Sequence, residues 1–538
     1  MKTEKPENEI DHILSYAKGT EERKGLLKEI EKIKKAAPIE IPLILNGEEV
    51  KTGDIENVRS PHHKDLILAK AHLAGEAEIK EGIESALAAH KQWSQLDWDK
   101  RVVIFKKAAD MLAGPHRIHN IAAIMLNQSK NPYEAEIDLA ELVDFWRFNS
   151  YYMAKIANTH PDQAPGELNR FDWRPLEGFI LAIPPFNFYS IAGNLPTAPA
   201  IAGNVSIWKP SRSVIFSNYQ IMKILLKAGL PKGVINFLPF SSKHADILLE
   251  HPEFAGLHFT GSYETLTLLW KTINQNVTQY ENFPRIVGES GGKNFFFIHE
   301  SAEIETVVNN LIRGSFGYQG QKCSASSRAY VPDSMWDDLK QRLLREVTKI
   351  SFGPTEALSN YMGALIDESA FEKVVSYIDY AKKHSETYNF VYGGENDSSE
   401  GWFVEPTIIR ASDPKSKLMK EEIFGPVVVM YVYPGEEYVD TLKLCESTSP
   451  YGLTGSIFAK DREAIDTAER ILRFSAGNFY INYKPTAAIV NRQPFGGARA
   501  SGTNDKAGSW LNLLRWLNLR SIREDTLFPE GWKRKFQQ

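Results

Sequence analysis

Cysteine is almost missing from this chain: 538 residues carry two, Cys323 and Cys445. Two thiols cannot build a disulfide framework, and no Cys and His cluster has the spacing of a metal site, so no metal is expected. An excess of one charge is also lacking, because 63 basic against 68 acidic side chains leave a net charge of −5. That balance gives no general attraction to phosphate backbones or anionic lipid, and neither nucleic acid nor a membrane is an expected partner. The longest uncharged stretch, Gly178 to Trp208, is interrupted by Pro184, Pro185, Pro196 and Pro199, so it reads as a buried, broken segment and not as a spanning helix. The N-terminal stretch MKTEKPENEIDHILSYAKG has no apolar core and several acids, which argues against a leader peptide and makes the cytoplasm the expected location. No G-x-G-x-x-G occurs. Nor is GESGGK a phosphate loop, since three residues, not four, separate Gly288 from Gly292 and Asn294 follows Lys293.

What is present is the composition of a soluble globular protein, 43% hydrophobic and 24% charged, with length for several domains. Ile10, Ile13, Leu14, Ala17, Leu26, Leu27, Ile30 and Ile33 recur at helical spacing, predicting an amphipathic helical extension over about 7–35. Helical periodicity continues from about 77 to 156. After Glu177 the pattern changes to short apolar runs closed by turn residues (GFILAI, VSIW, VINFL, LHF), then again NFFFI, PVVVMYVY, SIFA and NFYIN, with helical stretches between. Runs of this length read as parallel strands buried on both faces, and their alternation with helices predicts two successive open-sheet α/β domains.

Four places carry chemistry. Cys323, in GYQGQKCSASS, follows a Gly- and Gln-rich turn beyond a helix from about Ile304 to Phe316. A thiol on such a turn, beside Lys322, is open to substrate and can be partly ionised; by itself it could equally be a small buried hydrophobe, which is the reading for Cys445 in the amphipathic DTLKLCES. Glu289, in RIVGESGGKN, lies between glycines that leave its carboxylate unshielded, as a base that activates water requires; a solvated turn would look the same. Asn187, in PPFNFYS just after the strand GFILAI, lies where open α/β sheets bind ligands, and its carboxamide could donate to an oxyanion. Lys209 in SIWKPS and the Gly261–Ser262 turn in LHFTGS each follow a buried strand, and the second opens a helix, a suitable place for a ribose hydroxyl and a pyrophosphate.

Taken in order, PPFNF, WKPS, FTGS, GESGGK, GQKCS, EEIFGP and PFGG resemble the aldehyde dehydrogenase superfamily from roughly residue 40 to the C-terminus, with Glu289 34 residues before Cys323 as in that pattern. GESGGKNF, AELVDFWRFN, QKCSASSR and QPFGGARASGTNDKAG are most similar to its monofunctional Δ1-pyrroline-5-carboxylate dehydrogenase group, which oxidises glutamate semialdehyde. The resemblance implies Cys323 as nucleophile, Asn187 and the Cys323 N–H as the oxyanion site, and Glu289 as the base toward water. For NAD it implies Lys209 and Ser211 at the adenosine ribose, Gly261 and Ser262 at the pyrophosphate, Glu422 at the nicotinamide ribose and Phe424 beside the ring. For the substrate it implies Ser324, Ala487 and Ala488 around the α-carboxylate, Phe188 and Phe495 about the aliphatic chain, and Glu141 near the α-amino end.

The implied organisation is a helical extension (1–40), an NAD-binding domain (41–158 and 179–291), a catalytic domain (292–490), and an oligomerisation flap made of a hairpin at 159–178 and the segment 505–538, giving a dimer or larger homo-oligomer. Two departures stand out. Ala487–Ala488 occupies a loop that usually begins with glycine, which bears on the fit of the carboxylate. Arg212 stands where NAD-preferring relatives often carry an acid, and predicts measurable use of NADP. Another semialdehyde dehydrogenase, for instance one for succinate semialdehyde, and a non-catalytic structural relative are the competing readings.

Overall fold

A computed structural model describes residues 4–527 and 531–537. Its two large sheets are each seven-stranded. The first comprises β1 (Leu43–Leu45), β2 (Glu48–Val50), β3 (Phe179–Ile183), β4 (Val205–Trp208), β5 (Ile235–Phe237), β6 (Phe254–Thr260) and β7 (Arg285–Glu289), in the order β7-β6-β3-β4-β5-β1-β2. Strands β3 to β7 run parallel, and β1 and β2 add an antiparallel edge. The second comprises β8 (Asn294–Ile298), β9 (Ser326–Pro332), β10 (Tyr388–Tyr392), β11 (Thr407–Ala411), β12 (Val427–Tyr433), β13 (Thr454–Phe458) and β14 (Asn478–Ile481), in the order β10-β11-β12-β9-β8-β13-β14. Only its β10 edge is antiparallel. The expected pair of open α/β sheets is therefore observed.

The second sheet shows why its strands are continuous apolar runs. Phe295 and Phe297 of β8 pack into the core on one face, Phe296 and Ile298 into the core on the other, as the two-residue period of a strand dictates. The helix α1 (Glu21–Ala36) packs on the helix Arg117–Gln128, away from the site, which is flanked by α2 (Pro132–Ala157), α3 (Tyr189–Ile201) and α4 (Tyr263–Gln275). The start of α2 is set by Asn131, whose side chain accepts from the Glu134 N–H, and by Pro132 in the first turn. Only four residues separate the end of β7 from the start of β8, so the two sheets meet at Ser290–Lys293.

Two expectations are corrected. The N-terminal helix is not continuous: residues 9–12 form one 3-10 turn, 13–20 lack helical structure with Tyr16 at φ +51°, and α1 begins only at Glu21. The periodicity of Ile10, Ile13 and Leu14 reflects contact with the body of the protein, which an extended strap also achieves. Nor does 159–178 fold back as a hairpin. Its single strand, Glu167–Pro175, pairs antiparallel with Leu517–Asp525 across nine registered residues. Pro161 and Pro165 lack the N–H that a first hairpin strand would need for its ladder.

Candidate active site

Cys323 sits on a loop pinned from several sides. Tyr318 and Gln319 just before it adopt left-handed backbone (φ +51° and +54°). Gln319 Nε2 donates to the carbonyls of Ser129 and Ala364 at 2.9 and 2.8 Å, and Gln321 Oε1 accepts from the Ile366 N–H at 2.9 Å. The Asn294 amide donates to the Cys323 and Ala325 carbonyls at 2.7 and 2.9 Å. At Gly292 a Cβ would lie 2.5 Å from the Cys323 carbonyl oxygen, so only glycine lets β8 approach this loop. Asn187 is buried and its Nδ2 donates to the Gln321 carbonyl at 3.0 Å, leaving its second amide hydrogen available beside the cysteine loop.

Lys322 does not activate the thiol as its position in the chain suggests. Its ammonium is buried and turned to Glu134 Oε2 at 2.6 Å. Burial, and then the carboxylates of Glu422 and Glu289, push the Cys323 thiol up. A thiol in this setting needs a nearby base.

Glu289 ends β7 and has the character of one. Its Oε2 accepts from the Gly497 N–H at 2.9 Å, while Oε1 is buried without a hydrogen-bond partner among the described residues. Burial raises its proton affinity well above that of an ordinary carboxyl; the Asp505 charge adds to this, and the Gly497 N–H and Lys506 oppose it. It is not a solvated turn glutamate. The loop 497–507 folds over it: Thr503 N donates to the Gly288 carbonyl at 2.8 Å, and a Cβ on Gly502 (φ +137°) would lie 2.3 Å from that oxygen.

A second group of expected residues lies along the ends of β4, β6 and β7. Burial pushes the Lys209 ammonium down; it lies 5.4 Å from the centre of the Phe240 ring, and Nζ has no hydrogen-bond acceptor among the described residues. Ser211 caps a 3-10 turn through its carbonyl, which accepts from the Val214 N–H at 3.1 Å. Gly261 N donates to the Glu289 carbonyl at 3.1 Å, and the Ser262 hydroxyl caps the thirteen-residue α4, accepting from Thr265 N at 3.1 Å. Glu422 Oε1 accepts from the Gly292 N–H at 2.8 Å, and burial raises this carboxyl to about 7. Phe424 holds a positive φ of +62° with the Phe186 ring edge-on at 5.8 Å. The Arg212 guanidinium, half exposed, is paired with Glu56, which the strand Ile55–Ser60 brings alongside.

One cavity joins Cys323, Glu289, Ser324, Phe188, Phe495 and Glu141. Ala488 lines it too, as does Thr486, whereas Ala487 is not on its wall. Glu141 is no solvated helix face: it accepts from the Ser190 hydroxyl at 2.6 Å, and burial, with Asp138 and Asp144 nearby, raises it to about 7.

Several participants are not visible in the sequence. Lys130 and Asp138 form a fully buried ion pair, with the Lys130 ammonium 4.6 and 4.4 Å from the Phe188 and Tyr318 ring centres. The Asp138 oxygens also accept from the Tyr189 and Ser190 N–H groups at 2.8 and 2.9 Å, fixing the start of α3 and with it Phe188. Asp505 and Lys506 lie in a segment notable by its motif, yet only folding shows them against Glu289. His62, His63 and Glu356 bring three potential metal-ligand atoms within 4.8 Å of one another, contrary to the expectation of no such cluster. The Lys34 ammonium already sits 2.7 Å from Glu356 there.

The model of the aldehyde dehydrogenase family matches residues 49–522. A protein of Dictyostelium discoideum named mitochondrial Δ1-pyrroline-5-carboxylate dehydrogenase is 47% identical over 95% of this chain and 92% of its own length. The human protein of the same name is 44% identical over 98% and 94%. The crystal structure of Mycobacterium tuberculosis Δ-pyrroline-5-carboxylate dehydrogenase bound with NAD superposes with a TM-score of 0.95 at 44% identity, covering 100% of this chain and 99% of that one.

Proposed function

The chain belongs to the aldehyde dehydrogenase family, and from that premise we propose that it oxidises L-glutamate γ-semialdehyde to L-glutamate with NAD as hydride acceptor, a step in proline degradation. The observation that carries this reading is the single cavity into which Cys323, Glu289, Phe188, Phe495 and Glu141 all open.

The residues present fit the cofactor. The Lys209 ammonium lacks an acceptor, the start of α4 offers N–H groups to a pyrophosphate, and a Cβ on Gly291 would fall 2.1 Å from Glu422 Oε2, so glycine keeps that carboxylate clear for a ribose diol. Ser211 stands two residues from Lys209, and Phe424 would lie beside the nicotinamide ring. When bound, NAD takes the aldehyde hydrogen as hydride.

In this mechanism Glu289, with its raised proton affinity, takes the proton of Cys323. The thiolate adds to the aldehyde carbon, and the carbonyl oxygen, now an anion, is held by the Asn187 amide and the Cys323 N–H. Loss of hydride leaves a thioester on Cys323. Glu289, after passing its first proton to solvent, removes a proton from water as the water oxygen attacks the thioester carbon, and the carbon–sulfur bond breaks to release the thiolate and the carboxylic acid, which ionises in solvent. Ser324 and the 487–488 loop hold the α-carboxylate, Phe188 and Phe495 flank the aliphatic chain, and Glu141 meets the α-ammonium.

The first sheet serves NAD, the second supplies the nucleophile, and the ribbon of 167–175 and 517–525, with Leu168 and Leu519 exposed, joins a second copy. A cytoplasmic location is part of this reading, and fractionating the native host tests it. The deciding assay follows NADH formation from glutamate semialdehyde. Faster turnover of succinate semialdehyde would favour the shorter substrate; no turnover of either would favour a non-catalytic relative; turnover surviving Cys323→Ala would overturn the mechanism.

A further inference from the structure

The segment Asn8–Tyr16, which has one 3-10 turn and otherwise no regular structure, is held as firmly as a core element. Asn8 Nδ2 donates both to Asp144 Oδ2 at 3.1 Å and to the Val490 carbonyl at 3.0 Å, and the Glu9 N–H donates to Asp144 Oδ1 at 2.6 Å. The Glu9 carboxylate, itself buried, lies between Arg117 (2.6 Å) and Arg147 (2.7 Å). Asp11 pairs with Arg492, Leu14 N donates to Glu136 Oε1 at 3.0 Å, and the buried Tyr16 hydroxyl donates to Glu136 Oε2 at 2.7 Å. A chain that forms no helix or sheet ladder of its own gains little from local bonds, so these long-range contacts are what hold it.

Two of the contacts bear on the chamber. Ile10 is part of the wall of the cavity that contains Cys323. It follows residues bonded to Asp144, one helical turn along α2 from Glu141, and so lies at the Glu141 end. Asn8 and Asp11 grip Val490 and Arg492, which follow closely on Thr486 and Ala488 of the same cavity wall. We propose that this strap completes the substrate chamber: Ile10 is a specificity-determining residue that limits the length of the semialdehyde, and Asn8 is a positioning residue that holds the carboxylate-binding loop through Val490. The proposal rests on the substrate reading above for the identity of the carboxylate.

The test compares wild type, Ile10→Ala, Ile10→Val and Asn8→Ala on three aldehydes: glutamate semialdehyde, its homologue longer by one methylene, and propanal, which has no carboxylate to anchor. Ile10→Ala is expected to shift the kcat/KM ratio toward the longer homologue by roughly 10-fold or more, the range for one methylene in an apolar pocket, with Ile10→Val shifting it less in the same direction. Asn8→Ala is expected to raise KM for glutamate semialdehyde while leaving kcat and KM for propanal near wild type. An unchanged length ratio in both Ile10 variants overturns the role of Ile10, and an equal loss on propanal and glutamate semialdehyde overturns that of Asn8. If wild type fails to use glutamate semialdehyde, the substrate reading fails by itself, and the Ile10 variants are then read on unbranched aldehydes of increasing length.

Discussion

Replacing Asp138 by Ala removes the partner of a buried cation. Its two oxygens serve three donors: the Lys130 ammonium and the N–H groups of Tyr189 and Ser190. Lys130 is fully buried against two aromatic faces, so its ammonium loses that carboxylate while shielded from bulk solvent. Breaking a buried pair by deleting one partner costs about 3–5 kcal/mol. The two freed N–H groups belong to the first turn of α3, where the helix provides no acceptor, and each stranded donor adds about 1–3 kcal/mol. Part of this is recovered because burial already lowers the Lys130 pKa and the unpaired amine sheds its proton. A net loss of about 4 kcal/mol corresponds to roughly 8–16 °C in melting temperature for a unit of about 150–250 residues. Scanning calorimetry at one scan rate is the assay, with Lys130→Met combined with Asp138→Ala as the control. The pair of apolar residues removes the stranded charge and is expected to recover most of the loss. A melting point for Asp138→Ala within about 2 °C of wild type would refute the reasoning, as would a double variant no more stable than the single one.

Glu289→Gln is expected to cut steady-state turnover by about 10²–10⁴; a wild-type rate would remove Glu289 from the chemistry. Glu141 keeps its proton up to about 7 when folded and only to about 4.5 when unfolded, so between those values it makes stability fall as pH rises, and Glu141→Gln should reduce that slope in thermal melts. Since only the ionised carboxylate attracts an ammonium, wild-type KM for glutamate semialdehyde, measured relative to Glu141→Gln, should fall as pH rises through about 7; parallel pH profiles would count against the contact. Gly291→Ala drives a methyl group into the Glu422 carboxylate and is expected to raise KM for NAD with folding intact by circular dichroism. Iodoacetamide should inactivate with label on Cys323 alone, because Cys445 is wholly buried in its helix, and peptide mass mapping reads this out directly.

How far the sequence foretells this molecule depends on the range of the interaction. The helix Ile304–Phe316, the strand before PPFNF and the fully buried runs of the second sheet are local patterns, and they stand where periodicity puts them. Cys323 and Glu289 are legible for the same reason, since each sits in a short segment marked by nearby glycines, Gly320 before the one and Gly288 and Gly291 around the other. What escapes is what the fold joins from afar: Glu56 beside Arg212, Glu356 beside His62, Glu134 beside Lys322, and the strap whose apolar spacing looks helical although Tyr16 turns it aside. Charged residues at those positions look solvated in one dimension, and only the tertiary arrangement reveals which of them are paired and that Lys322, Glu134 and His62 are buried. The strand Glu167–Pro175 is the same lesson in backbone form, because its partner is the strand Leu517–Asp525 near the far end of the chain.

That distant pairing belongs to a larger arrangement with consequences for biogenesis. The core around the first sheet is closed by Leu513, Trp516 and Leu517; the Trp516 ring lies 4.8 Å from that of His258, and the Asn204 amide donates to the Trp516 carbonyl at 2.9 Å. Every strand of the second sheet is encoded between that core and these last pieces. During translation the first half therefore emerges without its closing residues and waits, with apolar surface uncovered, while the ribosome makes the second. A nascent chain stalled when residues up to about 490 have emerged should recruit chaperones and remain protease-sensitive even though both sheets are outside the tunnel, and emergence of the final segment should act as the latch that ends that vulnerable interval.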